Sequence, residues 1–473
     1  MTPEIECPDC ISNKTYDEIQ IGESVSLVKS LTFEDINLFA LASGDINPTH
    51  IDHDFVQTSS YRKITGHAMW SGALFSRLLG TNLPGPGTVY RGQVLKFHRP
   101  MCLSDQIKVT ITAIGKDPED HVITFDCRCV NALDERDLIC TGTAEVYAPL
   151  DKIKRERVTL PHLKLNDRGG QLQRLVAMTK TYPPIRMAVV HPVDRNSLMG
   201  AIEAARSNLI IPVLVGPREK IKLIADQEGV NLDDYEVLDV EHSHAAAERS
   251  VAMARAGEVA AIMKGSLHTD ELMGAVIQRG TGITTSRRMS HVFLMDVPAY
   301  PRPLMVTDAA INIDPSLEEK RDIVQNAIDL AHALGIPLPK VALLSAVETV
   351  NPKMRSTLEA AAICKMADRK QITGGLVDGP LAFDNAVSEE AARIKGIDSP
   401  VAGRADILVA PDLEAGNMVA KQLEYMADAL SSGIVLGARV PIALTSRADS
   451  ILSRMASCAL ALLLAHNKEK KVP

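Results

Sequence analysis

The chain is predicted to hold two architectures in series, an α+β segment followed by an α/β segment. Three observations carry this. Residues 67–79 are apolar nearly all round, as a helix buried on most sides must be, and alternating apolar and polar stretches follow at 87–97, 106–114, 122–130 and 139–147. From residue 187 onward, short continuous apolar runs alternate with helical stretches, the pattern of strands buried on both faces with helices between them. At 473 residues the chain also exceeds what one hydrophobic core supports. We place a first domain at 1–150, a linker at 151–185 and a second domain at 186–473. The linker is charged and interrupted by Pro and Gly. The second domain, about 290 residues, suits two doubly wound subdomains with a cleft between them.

The first element is a helix. Thr32 and Asp35 read as a capping box, Phe33, Ile36, Leu38, Phe39 and Leu41 give its apolar side, and Gly44 stops it. The segment SGDINPTHID, residues 43–52, follows directly. It sets an acid, Asp45, and a base, His50, five residues apart, with Asn47-Pro48 turning the chain between them. Two titratable groups on a loop anchored by a helix can activate a water and pass a proton. An Asx turn with a surface histidine is the competing reading of the same residues. The apolar helix then starts at His67-Ala68-Met69, and the four alternating stretches wrap it as antiparallel strands, which is the hot-dog arrangement.

The order of these elements, the loop motif, the buried helix and the LPGPGT turn resemble the MaoC-like (R)-specific enoyl-CoA hydratases over residues 20–148. That resemblance implies that Asp45 and His50 are the catalytic pair, that Asn47 shapes the loop, and that His67 and Ala68 begin the helix whose backbone N–H polarises the thioester carbonyl. The family carries glycine where this chain has Ala68. Alanine keeps the N–H, but its methyl narrows the approach.

In the second domain the apolar runs lie at 187–192, 211–216, 235–240, 259–265, 291–297, 304–309, 340–346, 405–411, 433–438 and 441–446. Ligands of such sheets gather beyond the carboxyl ends of the strands. There the chain places Ser446-Arg447-Ala448-Asp449-Ser450, with Asp449 or Ser450 capping a helix over 451–465. A hydroxyl, a guanidinium and a helix N-terminus at one strand end make an oxyanion or phosphate site, although a plain helix cap beside a solvated arginine has the same composition. The segments LLSAVE, VDGPLAFDNA, ADILVAPDLEAGN and PIALTSRADS resemble, in order, the phosphate acetyl/butyryltransferase family from 186 to 466. The resemblance implies that Arg447 binds phosphate or the thioester oxygen and that Ser446 supports the thiolate leaving group. The catalytic aspartate of acetyl-type members falls ungapped near Ser453, which leaves Asp449 as a candidate. Thr269 is followed by Asp270, Glu271, Leu272 and Met273, so the arginine those members carry there is not evident. Both departures lean towards the butyryl-type branch. Arg287 and Arg288 are candidate CoA phosphate contacts, or a solvated loop.

Composition bounds the rest. Net charge is −8, so nucleic acid binding has no general electrostatic support, and anionic ligands need local cations. The apolar run 458–465 is too short to span a bilayer, and the N-terminus lacks a signal pattern, so a cytoplasmic protein is expected. Of eight cysteines only Cys7 and Cys10 form a CxxC, and no second pair follows, so no metal and no cofactor beyond the CoA thioester and phosphate substrates is expected. The combined expectation is a bifunctional, homo-oligomeric enzyme that hydrates trans-2-enoyl-CoA and exchanges acyl groups between CoA and phosphate. Two alternatives stand beside it: a sole phosphate acyltransferase with a non-catalytic acyl-CoA-binding or oligomerising hot-dog domain, and an active hydratase on a transferase-like scaffold that has lost its chemistry.

Overall fold

The computed structural model describes residues 10–58, 62–156, 158, 169–446 and 449–471. The chain divides into two compact units, Met1–Leu165 and Asn166–Pro473. The division falls inside the expected linker, whose later part is structured. Helix Gly170–Met178 belongs to the second unit, where the Gln171 N–H donates to Asp296 Oδ2 at 2.9 Å.

In the first unit, among the described residues, five strands form an antiparallel sheet in the order Ser24–Ser30, Gln106–Asp117, Val122–Asn131, Asp134–Tyr147, Val89–Phe97. Sequence reading found four of these and missed Ser24–Ser30, whose alternation is carried by Val25 and Leu27 within a polar run. The period of two puts Ile107, Val109, Ile111 and Ala113 on one face, all fully buried. They pack with Trp70, Leu74, Phe75 and Leu78 of helix Met69–Thr81, which the sheet wraps. Gly142 lies so near the neighbouring strand that a Cβ there would sit 1.9 Å from the Val94 carbonyl oxygen, so glycine is the residue that fits. Helix Phe33–Ser43 has the expected capping box, and Gly44 ends it at φ 75°.

In the second unit, among the described residues, eleven strands form one continuous sheet. Their order is Glu236–Asp239, Ile210–Gly216, Ile185–Val190, Ala261–Lys264, Ile442–Ala443, Leu430–Leu436, Ser290–Asp296, Leu304–Thr307, Ile407–Val409, Lys340–Leu344, Leu376–Leu381. The first five are mutually parallel, as are the last four, but the wings run in opposite directions. Antiparallel pairings of Leu430–Leu436 and Ser290–Asp296 join them. The two expected subdomains are therefore wings of one sheet. Both faces are covered: Met187 and Val189 pack with Leu198, Ile202 and Leu460, whereas Ala188 and Val190 pack with Ala246 and Val251. Such strands carry no polar face, which is why they read as unbroken apolar runs.

Candidate functional sites

In the first unit the helix before the loop ends at Gly44, and Asp45 follows exposed. The loop is more ordered than its sequence suggests. Residues Pro48–Ile51 form one helical turn, capped by the Asn47 side chain, whose Oδ1 accepts the Thr49 N–H at 3.2 Å. His50 therefore sits within a helical turn rather than on an open loop. Asn47 also donates its N–H to Asp45 Oδ1 at 3.3 Å, so it shapes the turn at both ends. His50 Nδ1 lies 2.7 Å from the Thr65 carbonyl, which fixes the neutral ring with its proton on Nδ1 and its lone pair on Nε2. His67, 2% exposed, donates from Nε2 to the main-chain carbonyl of Asp45 at 2.9 Å. Its ring centroid is 4.0 Å from that of His50.

Ligand atoms of Asp45, His50 and His67 lie within 4.8 Å of one another, so the expected pair is in fact a triplet. One carboxylate and two imidazoles also make a donor set that a divalent transition metal would accept. These groups line a cleft of about 640 Å³ with Phe39, Thr65, Ala68 and Met69. Ala68 is exposed at its wall, at φ −56° and ψ −41°, directly ahead of the helix. The order of the groups, with an acid and a base beside a helix start, can serve proton transfer next to a developing oxyanion.

In the second unit strand Ile442–Ala443 leads to Thr445 and Ser446 at its carboxyl end. Arg447 lies outside the described residues. The Ser446 N–H donates to Asp449 Oδ2 at 2.7 Å. Burial pushes the Asp449 carboxyl above its ordinary range, against the Ser446 N–H and Arg454. Ser450 is the helix cap, its Oγ accepting the Ser453 N–H at 3.1 Å, and the helix runs Ile451–Lys471, longer than expected. Ser453, at the ungapped position of the family's aspartate, is buried.

Arg454 was not singled out in the sequence. It is 1% exposed and donates to Thr445 Oγ1 and to the Ser446 carbonyl, each at 2.8 Å. Helix Arg195–Arg206 covers its stem closely, since a Cβ on Gly200 would meet Arg454 Cδ at 2.7 Å. Asp194, the cap of that helix, faces it. Burial disfavours the charged Asp194, but the Ser197 N–H, the Ser266 hydroxyl and Arg454 hold its carboxyl below the ordinary range. The one sequence signal was an arginine inside an apolar helix.

Ser446 and Thr269 line one cleft of about 340 Å³, together with Lys264, His268, His291 and Lys421. Thr269 opens helix Thr269–Ile277. Arg287 and Arg288 are not among the residues lining it. Arg287 Nη1 is 2.5 Å from Asp329 Oδ2, and Arg288 Nη1 is 3.0 Å from Glu319 Oε1 while its Nε donates to Asn312. As candidate CoA contacts, both are already engaged by carboxylates.

Known proteins match each unit separately. The family described as "Phosphate acetyl/butaryl transferase" matches residues 241–462, and that described as "MaoC like domain" matches 18–129. A phosphate acetyltransferase of Rhizobium meliloti is 60% identical over 296 residues, covering 63% of this chain and 94% of that protein. The chain belongs to the phosphate acetyl/butyryltransferase family. A phosphate butyryltransferase of Clostridium acetobutylicum is 41% identical, over 62% of this chain and 98% of that protein. A branched-chain phosphotransacylase of Enterococcus faecalis covers 60% of this chain and 99% of its own with TM-score 0.53 and 29% identity. The chain is thus a phosphate acyltransferase carrying a MaoC-like hot-dog domain, and acyl-CoA and phosphate are the substrates its family implies. Among the described residues no helix is long and apolar enough to cross a membrane.

Proposed function

We propose that this acyltransferase also hydrates trans-2-enoyl-CoA to (3R)-hydroxyacyl-CoA, reversibly, in its first unit, and that its transferase substrate is acetyl-CoA. The observation supporting hydration is the convergence of Asp45, His50 and His67 in one cleft beside the Ala68 helix start. Water adds across the 2,3-double bond. Asp45 and the Nε2 of His50 share the proton work, one proton leaving the water and one reaching C2. The Ala68 N–H stabilises the enolate oxygen, a contribution of about 100–1000-fold in rate for one such donor.

In the second unit a phosphate oxygen attacks the thioester carbonyl. A C–O bond forms, the C–S bond breaks, and the electron pair leaves on the CoA sulfur, which takes up a proton. Phosphate is already ionised near neutral pH, so the site needs alignment and charge more than a strong base. Ser446 and Arg447 would serve the leaving thiolate and the oxyanion. Identity of 60% to an acetyltransferase, against 41% to a butyryltransferase, supports the acetyl group.

The test is a pair of assays on purified protein: hydration of crotonyl-CoA, and phosphate-dependent CoA release from acetyl- and butyryl-CoA. Absence of crotonyl-CoA hydration would leave the first unit as a binding or oligomerising module. A higher kcat/KM for butyryl-CoA than for acetyl-CoA would reverse the acyl assignment.

A further inference from the structure

The transferase cleft is lined by two lysines in a chain whose net charge is −8. Lys264, His268, His291 and Lys421 line it, and no aspartate or glutamate does so among the described residues. Lys264 ends its strand 4% exposed, with Nζ donating to the Thr445 carbonyl oxygen at 3.3 Å. Lys421 is held by Glu424 at 2.7 Å and is less committed to the cleft.

His291 is the less expected group. It is 1% exposed, and neither ring nitrogen is in hydrogen-bond geometry with any group. Burial drives its pKa down to about 3, although the Leu444 carbonyl lies towards the ring and opposes this. The ring is edge-on to Phe293, with centroids 4.3 Å apart. An imidazole buried without a partner forfeits its hydrogen bonds unless a ligand supplies them. A neutral imidazole offers one donor and one acceptor. The two nitrogens lie on diverging edges of the ring; with the Leu444 carbonyl towards one of them, a phosphate oxygen in the cleft can serve the other.

We propose that Lys264 and His291 form the wall that holds the phosphate nucleophile in the transferase cleft, the ammonium supplying charge and the imidazole a directional hydrogen bond. They come from different strands of the sheet, Ala261–Lys264 and Ser290–Asp296, and line the cleft together with Ser446. This assignment rests on the transferase reading above. It adds two phosphate-binding residues that are distinct from the serine–arginine pair.

The experiment is steady-state transfer by the full chain, with inorganic phosphate and acetyl-CoA varied in turn. Lys264→Met should raise phosphate KM about tenfold or more, with acetyl-CoA KM within about twofold of wild type. His291→Phe should shift phosphate KM in the same direction, and His291→Gln, which restores a donor and an acceptor, should recover part of the loss. A merely structural role would move both KM values together. Should either variant fail to fold, Lys264→Gln and His291→Ala decide by the same ratio. Phosphate KM at the wild-type value in the folded variants would overturn the assignment. If the wild-type protein releases no CoA in response to phosphate, the transferase reading itself has failed.

Discussion

His67 shows how one residue can organise two others. Its Nε2 pins the Asp45 main chain, and its ring packs tilted against that of His50, so the acid and base of the loop are both braced by a residue on another segment. Asp45→Asn keeps the size of the side chain and removes its charge. Crotonyl-CoA hydration should fall by about 100-fold or more, while phosphate-dependent CoA release stays within twofold, because the two sites belong to separate units. Equal hydration by wild type and variant would remove Asp45 from the chemistry. Ala68→Gly should preserve or raise hydration. It keeps the N–H and removes the methyl exposed at the cleft wall, and glycine is no worse than alanine at a helix N-cap. A folded Ala68→Gly protein that no longer hydrates would mean the methyl is needed for positioning. Asp45, His50 and Ser446 were legible because their partners lie within a few residues. His67 was legible only as the start of the buried helix, and Lys264, His291 and Arg454 were not legible, because each acts on groups that only the fold brings near.

At the scale of elements, the capping box of helix Phe33–Ser43 holds the approach to the loop that carries Asp45 and His50. The Thr32 hydroxyl accepts the Asp35 N–H at 3.1 Å, and Asp35 also binds Lys29. Thr32→Ala should cost about 1 kcal/mol. The single tryptophan, Trp70, is in the core of this unit, so its fluorescence during urea unfolding reports this unit and not the other. Burial works against the charged Asp35, but Lys29 and Thr32 outweigh it and hold its carboxyl below the ordinary range. A carboxyl lowered in the folded state stabilises above its unfolded pKa, and loses that contribution as pH falls through the folded one. The stability gap between wild type and Asp35→Asn should therefore close as pH drops below about 4. A gap that widens in acid would contradict the pairing. In the second unit Arg454 ties the strand end to helix Ile451–Lys471. Arg454→Met removes both bonds to Thr445 and Ser446 and should slow acyl transfer roughly 100-fold through misplacement of Ser446. Unchanged transfer in a folded Arg454→Met protein would reduce the arginine to a packing role. Strand and helix positions were legible here from apolar runs and caps. The reversal between the wings was not, since a strand buried on both faces reads the same in either direction.

For the whole molecule, the separation into units matters most. The Rhizobium meliloti relative is matched over 94% of its length by 63% of this chain. Residues 166–473 produced alone should therefore retain phosphate-dependent CoA release within about threefold of the full chain, a margin small beside the loss expected from damage to an active site. A purified fragment that is folded but inactive would show that the first unit is required for transfer. The pairing of a MaoC-like domain with a phosphate acyltransferase on one chain was legible from local motifs, each confined to one unit.

The strand Ile442–Ala443 lies in the interior of the sheet, between Ala261–Lys264 and Leu430–Leu436, yet it is among the last strands in the chain. During synthesis the parallel wing from Ile185 to Lys264 emerges early and cannot be joined to the rest until roughly 180 further residues have followed. Over that interval its inner edge offers unpaired N–H and C=O groups to any other strand. The nascent second unit therefore spends much of its translation with an open seam. The same seam makes Ile442–Ala443 the closing stitch of the fold.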